Sequence, residues 1–252
     1  MLSSNSSLLF AITDPELHEH YVEIPSTNDR LLELARLGAP AGTIVSADYQ
    51  SAGRGRRGAV WVSPPGAGIL CSILFRFSAR IPVHHLAILS GVGVANGLCE
   101  LGFSVKIKWP NDIMFEERKV GGILVETIDN AVVIGFGINC SAPLDEYPEE
   151  IRARAGSLFP LAGKTDTHEK IMNSVCAQLA DAVIRVQTGG IIKVLRDWNS
   201  MNWFAHKKVR VSGPMGVLEG DGVFLDGHRV LFHVFKDCGV VPMPLSSSLE
   251  TR

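Results

Sequence analysis

The sequence predicts an α+β fold: a mixed, largely antiparallel sheet covered by helices, with a small β unit toward the C-terminal end. Three observations predict it. Strand-like apolar runs crowd residues 42–49, 68–76, 104–109, 113–115, 119–128 and 131–139, and the last two face each other across Asp129-Asn130 as a hairpin. Helical periodicity collects around these runs instead of alternating with them one for one. From Lys207 onward the character changes to short β segments separated by Gly213, Gly216, Gly220, Gly222 and Gly227. The expected division is therefore a main domain over 1–206 and an appendage over 207–252.

Each element has a local reason. Ser26-Thr27-Asn28-Asp29 ahead of Leu31, Leu32, Leu34, Ala35 and Leu37 reads as a capped helix, closed by Gly38 and Pro40. Residues 42–49 (GTIVSADY) form a strand that runs into the glycine-rich stretch 53–58, and 59–62 continue as strand. Residues 68–76 are a second strand of β-branched and large apolar residues. A helix over 83–101 is rich in small residues and so packs closely. Strand character over 104–109 resumes at 113–115 after a Pro-Asn-Asp interruption, and 116–118 turn the chain. After an acidic, proline-bearing loop at 142–150, Ile171, Val175, Leu179 and Val183 mark a helix over 167–187 that Gly189-Gly190 ends; a shorter helix follows over 191–201.

Of the 252 residues 46% are apolar and 20% charged, which excludes disordered and fibrous classes. The net charge of −2 argues against a protein that coats nucleic acid. Cys71, Cys99, Cys140, Cys176 and Cys238 are odd in number and form no CxxC pair, so they read as buried hydrophobes in a reducing compartment. No Lys or Arg precedes Arg30, unlike a signal or transit peptide. The apolar run 86–95 is short and broken by Ser90, Gly91 and Gly93, so no membrane span is expected. The expectation is a cytoplasmic protein.

Four runs carry chemistry. In Gly53-Arg54-Gly55-Arg56-Arg57-Gly58, glycines let backbone N–H groups approach an anion and arginines supply bidentate donors. No helix signal follows, which disfavours a dinucleotide site; a nucleotide-phosphate loop of another kind outweighs a bare basic turn. Lys108-Trp109-Pro110-Asn111-Asp112 offers an amide and a carboxylate suited to Mg²⁺, though an ordinary turn is the commoner meaning of that tripeptide. In residues 118–126 (RKVGGILVE), Lys119 opens a strand beside Gly121 and Gly122, where a ligand could pass close, or it sits at a plain hairpin turn. Gly135-Phe136-Gly137-Ile138-Asn139 fits a flat ligand or a simple strand end. His18-Glu19-His20 and His84-His85 lack further ligands at metal spacing and read as surface histidines, while Trp198 and Trp203 read as core.

In this order the runs are similar to the biotin–protein ligases, whose pattern is GRGRRG, KWPND, K-x-x-G-I-L-V-E and G-x-G-I-N, with Ser26-Thr27-Asn28 and Tyr49-Gln50-Ser51-Ala52 as further matches. The resemblance covers residues 21–140 closely. It implies a class II synthetase-like sheet and a C-terminal SH3-like barrel. It also implies two steps: biotin and ATP give biotinyl-5′-AMP and pyrophosphate, then a lysine of a biotin carboxyl carrier protein (acetyl-CoA carboxylase or another biotin-dependent carboxylase) is acylated. By the same resemblance Lys119, Arg56 and Asp112 are catalytic. Ser26, Thr27, Asn28 and Gln50 hold the ureido ring, and Gly53, Arg54, Gly55, Arg56, Lys119, Gly121, Gly122 and Leu124 the rest of biotin. Arg54, Arg56, Arg57, Trp61, Lys108, Asn111 and Asn139 serve the nucleotide, Asn111 and Asp112 serve Mg²⁺, and the arginine loop is a lid.

Two departures stand out. About 25 residues precede Ser26, too few for the helix-turn-helix of larger family members, so a ligase without a nucleic-acid role is expected. Where the family's terminal domain ends in G-[ED]-[VI]-S, this chain reads Cys238-Gly239-Val240-Val241-Pro242-Met243. The rivals are a lipoate or octanoate ligase of related fold and a non-catalytic biotin sensor, which Lys119, Arg56 and Asp112 argue against. An exposed edge strand would permit a homodimer.

Overall fold

The computed structural model describes residues 14–77, 81–159, 165–213, 216–225, 232–236, 239–243 and 248–251. Its centre is a seven-stranded sheet built from β1 (His18–Ile24), β2 (Ile44–Gln50), β3 (Gly68–Arg76), β4 (Lys106–Lys108), β5 (Asp112–Phe115), β6 (Arg118–Ile128) and β7 (Ala131–Asn139). The order is β1-β2-β3-β7-β6-β5-β4, antiparallel throughout except for the parallel β1–β2 pair. The β6–β7 hairpin turns at Asp129-Asn130, with Asp129 at φ 50°, as the sequence implied.

Period-two alternation gives the sheet two different faces. Ile69, Cys71, Ile73 and Phe75 of β3 and Ile134, Phe136 and Ile138 of β7 point to one of them. Helix α2 (Val83–Glu100) covers that face together with α4 (Thr165–Gln187) and α5 (Ile191–Ser200); a short helix, α3 (Glu149–Arg152), lies in the connection before α4. The small residues of α2 let α4 come close: a Cβ at Gly97 would stand 2.6 Å from the Val175 Cα. On the opposite face, α1 (Thr27–Arg36) lays Leu31 and Ala35 on Val45, Leu74 and Val133. It covers only one end. Further along, the same face presents Ser72, Gly122, Leu124, Gly135 and Gly137, small or polar positions on which a helix would leave gaps.

Strand β1 was not expected. HEHYVEI is polar and lies at the edge, where one side needs no apolar cover, so hydrophobic alternation is weak. Residues 59–62 were expected as strand, but Val60 pairs only through an isolated bridge to Arg54, and the chain there follows the loop instead.

Beyond residue 207 the described chain forms two three-stranded antiparallel sheets. β8 (Lys208–Gly213) lies between β9 (Gly216–Asp221) and β13 (Ser248–Thr251), and β11 (Phe232–Lys236) between β10 (Val223–Leu225) and β12 (Gly239–Met243). Two asparagines bind β10 to the main domain. Asn199 bonds both the N–H and the carbonyl of Leu225, and Asn202 donates to the Val223 carbonyl at 2.5 Å. Cys238 and Gly227 lie outside the described residues. No helix among the described residues is long and apolar enough to cross a membrane.

The β1–β2 edge carries a pH-dependent element of stability. His18 Nε2 and His20 Nδ1 both bond the Ser46 hydroxyl, at 2.7 and 2.9 Å, and with His168 of α4 they line a cavity that Asp48 and Glu169 also face. Burial lowers the pKa of His18, with His20 adding to it; burial also lowers His168, and Asp48 opposes that. A depressed histidine binds fewer protons folded than unfolded, so its stabilising share is present above the ordinary value of about 6.5 and is lost as pH falls through the folded value. The thermal midpoint is therefore expected to fall between about pH 7 and pH 5. His168→Gln should flatten that fall when unfolding is followed by circular dichroism, and a midpoint indifferent to pH would refute the assignment.

Candidate active site

The uncovered half of the sheet face is closed by the start of α1, by β6 and by the loop at residues 53–61. Together they enclose a cavity of about 180 Å³. Its polar end is the first turn of α1. The buried Ser26 hydroxyl caps the helix by accepting from Asp29 N, and Thr27 donates to Gln50 Oε1 twice, from its amide at 2.7 Å and its hydroxyl at 3.0 Å. Ser72, fully buried in the middle of β3, bonds Asn28 Oδ1 at 2.6 Å and the Thr27 hydroxyl at 2.8 Å. Asn28 Nδ2 then donates to the Leu124 carbonyl and, at 2.8 Å, to Glu126 Oε2. Each of these buried polar groups has a partner, and together they fix the side chains at this end in one arrangement.

The floor is made by glycines. The Trp61 indole lies over Gly122 and Gly137, so that a Cβ at either would stand 2.8 Å and 2.5 Å from ring atoms. Strand alternation points Gly122 and Leu124 into the cavity. It turns Gly121 to the other face, against Ile113, so Gly121 contributes no side of the cavity.

At the far end Lys119 Nζ pairs with Asp112 Oδ1 at 2.6 Å, and its ammonium stands 5.7 Å from the Trp61 ring. Asn111 holds the Ile123 carbonyl through Nδ2 at 2.9 Å, and its Oδ1, with no hydrogen bond among the described residues, can act as an acceptor. The same Lys119, Asp112, Trp61, Val60 and Ala59 also border a second cavity of about 430 Å³. Lys108, Asn139, Tyr147, Arg154 and Trp203 line it. Four residues that line it carry buried polar atoms with no partner among the described residues: Trp61 Nε1, Asn139 Oδ1, Tyr147 OH and Trp203 Nε1. Asn139 donates its amide to the Gly156 carbonyl at 3.1 Å, so the orphaned Oδ1 is an acceptor held in place. Such orphans in a cavity are where a ligand's hydrogen bonds belong.

The three arginines of the loop have separate situations. Arg54 is already committed, its fork accepted by both oxygens of Glu126 at 3.0 and 2.8 Å and by Asp29 at 2.5 Å. The Arg56 guanidinium forms no hydrogen bond or ion pair among the described residues. Desolvation and neighbouring Arg57 lower its pKa while Asp112 opposes them, an environment that an anion would relieve. Arg57, at φ 55°, and the buried Gly53 line neither cavity, although Trp61 N donates to the Gly53 carbonyl and shapes the loop. Among the described residues no group of three His, Cys, Asp or Glu could hold a metal ion.

Trp203 packs against the core, as expected, and it also stacks beneath Lys207 at 3.5 Å and Lys108 at 4.7 Å at the edge of the larger cavity. Ser72, Glu126, Asp29 and Tyr147 were not singled out in the sequence. A lone Ser in GILCSILF and a lone carboxylate in GILVETI were the available signals, since a polar side chain in an apolar strand needs a partner.

The biotin/lipoate A/B protein ligase family profile matches residues 21–141. The bifunctional ligase/repressor BirA of Bacillus spizizenii is 31% identical over 240 residues, which cover 90% of this chain and 73% of that protein. The biotin–[acetyl-CoA-carboxylase] ligase of Mycobacterium tuberculosis is 30% identical, over 76% of this chain and 73% of its own length. Among solved structures, biotin protein ligase from Aquifex aeolicus in complex with biotin and ATP superposes with a TM-score of 0.81 at 26% identity, covering 93% of this chain and 99% of that one.

Proposed function

This chain belongs to the biotin/lipoate A/B protein ligase family, and we propose that it activates biotin with ATP and transfers it to a lysine of a biotin carboxyl carrier protein. The observation that carries the reading is the meeting of two cavities at Lys119 and Asp112. The smaller, with its built polar end, suits an acid whose far end is a cyclic urea; the larger suits a nucleotide. A lipoyl dithiolane has no amide to exchange hydrogen bonds with that polar end, whereas a ureido ring does, which favours biotin.

In the first step a biotin carboxylate oxygen attacks the α-phosphorus of ATP. The P–O bond to pyrophosphate breaks, and biotinyl-5′-AMP forms. Both reactants are anions, so the site must neutralise and align them. Lys119 stands where carboxylate and α-phosphate meet, held there by Asp112, and stabilises the charge that builds on the phosphoryl oxygens. The unpaired Arg56 reaches the same anions. Ser26, Thr27, Asn28 and Gln50 orient the ureido ring, and Gly122 and Leu124 flank the tail. Trp61, Lys108 and Asn139 serve the nucleotide, and the partnerless Asn139 Oδ1 is an acceptor suited to a donor of the base. In the second step the carrier lysine's amine attacks the acyl carbonyl and AMP leaves.

Magnesium fits as part of the nucleotide substrate. One carboxylate, Asp112, and the free amide oxygen of Asn111 are a small ligand set, of the kind Mg²⁺ uses alongside phosphate and water. The terminal sheets belong in this reading to a small SH3-like unit over 207–252, the exposed edge of β1 to pairing between two copies, and the chain to the cytoplasm. The net charge of −2 supports a ligase with no nucleic-acid role.

The test is to incubate the protein with ATP, Mg²⁺ and either biotin or lipoate, and to look for the acyl-adenylate by mass spectrometry. Biotinyl-AMP is the expected product. Lipoyl-AMP would move the chain to the sister activity, and tight biotin binding without any adenylate would make it a sensor.

A further inference from the structure

We propose that Glu126 is a positioning residue that latches the arginine-rich loop over the acid cavity and orients Asn28 through the same carboxylate. The loop has little else to hold it. Residues 53–61 contribute no strand to the sheet, and their backbone bonds, Gly55 N to Ala59 O and Trp61 N to Gly53 O, stay within the loop. Among the described residues two side chains tie it to the body, Trp61 on the glycine floor and Arg54.

Arg54 is caught from two elements. Glu126, on the interior strand β6, takes the guanidinium in a two-pronged pair, Nη1 to Oε1 at 3.0 Å and Nη2 to Oε2 at 2.8 Å. Asp29, in the first turn of α1, takes Nη2 at 2.5 Å. These bonds raise the Arg54 pKa, the Glu126 bond most, which keeps the fork charged at every working pH. The Arg54 side chain is 39% exposed and that of Glu126 24%, so the pair adds little to global stability. Its effect is local. It decides how long the segment carrying Gly55 and Arg56 stays down.

Glu126 Oε2 accepts from Arg54 and from Asn28 Nδ2 together. Closing the roof and fixing the polar end of the cavity are therefore one event at one carboxylate. Commitment of Arg54 to this catch also leaves Arg56 as the guanidinium lining the cavity that is open to an anion. An acyl-adenylate exposed to water hydrolyses, so the catch governs how well the intermediate is retained.

Glu126→Gln keeps an acceptor for Asn28 and removes the charge that holds Arg54. Trypsin cleavage at the loop arginines, measured on the protein alone, is expected to accelerate about tenfold. Biotinyl-AMP released to solution, as a share of that formed at saturating biotin and ATP, should rise by about as much, with the rate of formation changed by less than about threefold. Asp29→Asn, which leaves Asn28 and Glu126 in place, should move both readouts the same way by about two- to threefold. The release arm rests on the ligase reading; the cleavage arm does not, so failure of one is distinguishable from failure of the other. A folded Glu126→Gln protein whose loop is cut no faster overturns the latch. Should that variant not fold, unchanged cleavage of Asp29→Asn overturns it equally.

Discussion

Lys119→Gln is expected to lower the rate of acyl-adenylate formation by about 10²- to 10³-fold while the protein folds normally and still binds biotin. The reasons are separable. The Lys119–Asp112 pair is roughly a third exposed on both sides, so its loss costs the fold no more than about 1 kcal/mol. In the proposed reading biotin's ureido end is met by the first turn of α1 and Gln50, at the opposite end of the cavity from Lys119. What the ammonium supplies is charge at the junction of the two cavities, where negative charge grows only as the carboxylate reaches phosphorus. An interaction stronger in the transition state than in the ground state appears in kcat, not in the affinity for either substrate. Single-turnover formation of biotinyl-AMP, with biotin affinity by calorimetry, checks both halves. A variant that lost affinity but kept its rate would make Lys119 a binding residue, and one that lost neither would remove it from the site. Asp112→Asn leaves the ammonium in place but unanchored, and a smaller loss of rate is expected there.

Most of this arrangement was readable in advance because it is carried by motifs short in sequence. The hairpin, the capped helix at Ser26 and β3 were legible because each is specified by neighbouring residues: a turn, an N-cap, an unbroken apolar run. What escaped was whatever depends on a partner distant in the chain. β1 is a strand because β2 lies beside it, with His18 opposite Ile44 and His20 opposite Ser46; nothing within HEHYVEI demands it. Residues 59–62 look extended, yet Trp61 must turn inward onto Gly122 and Gly137 while Val60 and Val62 face water, and that demand comes from β6 and β7. Arg54 was grouped with Arg56 because they share a loop. Their difference is set by Glu126, 72 residues away. The site residues that were missed are of this kind: Ser72 and Glu126 touch no substrate in the proposed chemistry, but they decide how Asn28 and Arg54 stand.

Gly135→Ala tests whether that polar end is as tightly built as its hydrogen bonds imply. In the interior of a strand, replacing Gly by Ala ordinarily helps by about 0.5–1 kcal/mol, since glycine has more conformational freedom to lose. Here the sign is expected to reverse. A Cβ at position 135 would collide with Asn28 Oδ1, stand 2.9 Å from Asn28 Cγ and 3.2 Å from Ser72 Oγ. Asn28 cannot step aside freely, because Ser72, Leu124 and Glu126 hold its amide from three directions. If Asn28 is expelled, the fully buried Ser72 hydroxyl loses one of its two partners, and the turn whose preceding residue, Thr27, grips Gln50 shifts with it. Overpacking costs about 1–3 kcal/mol and the lost Ser72–Asn28 hydrogen bond about 1 kcal/mol more, so a destabilisation of about 2–4 kcal/mol is expected by urea unfolding. Biotin binding should weaken at least about tenfold, one tenfold step being about 1.4 kcal/mol of distortion where the ureido ring docks. The double variant Gly135→Ala with Asn28→Ala removes the obstructing amide, so it should be more stable than the two single losses added together, a coupling that only residues in contact display. Strict additivity would mean that Asn28 is not what position 135 makes room for, and a glycine kept solely for its backbone would show no rescue by any change at position 28.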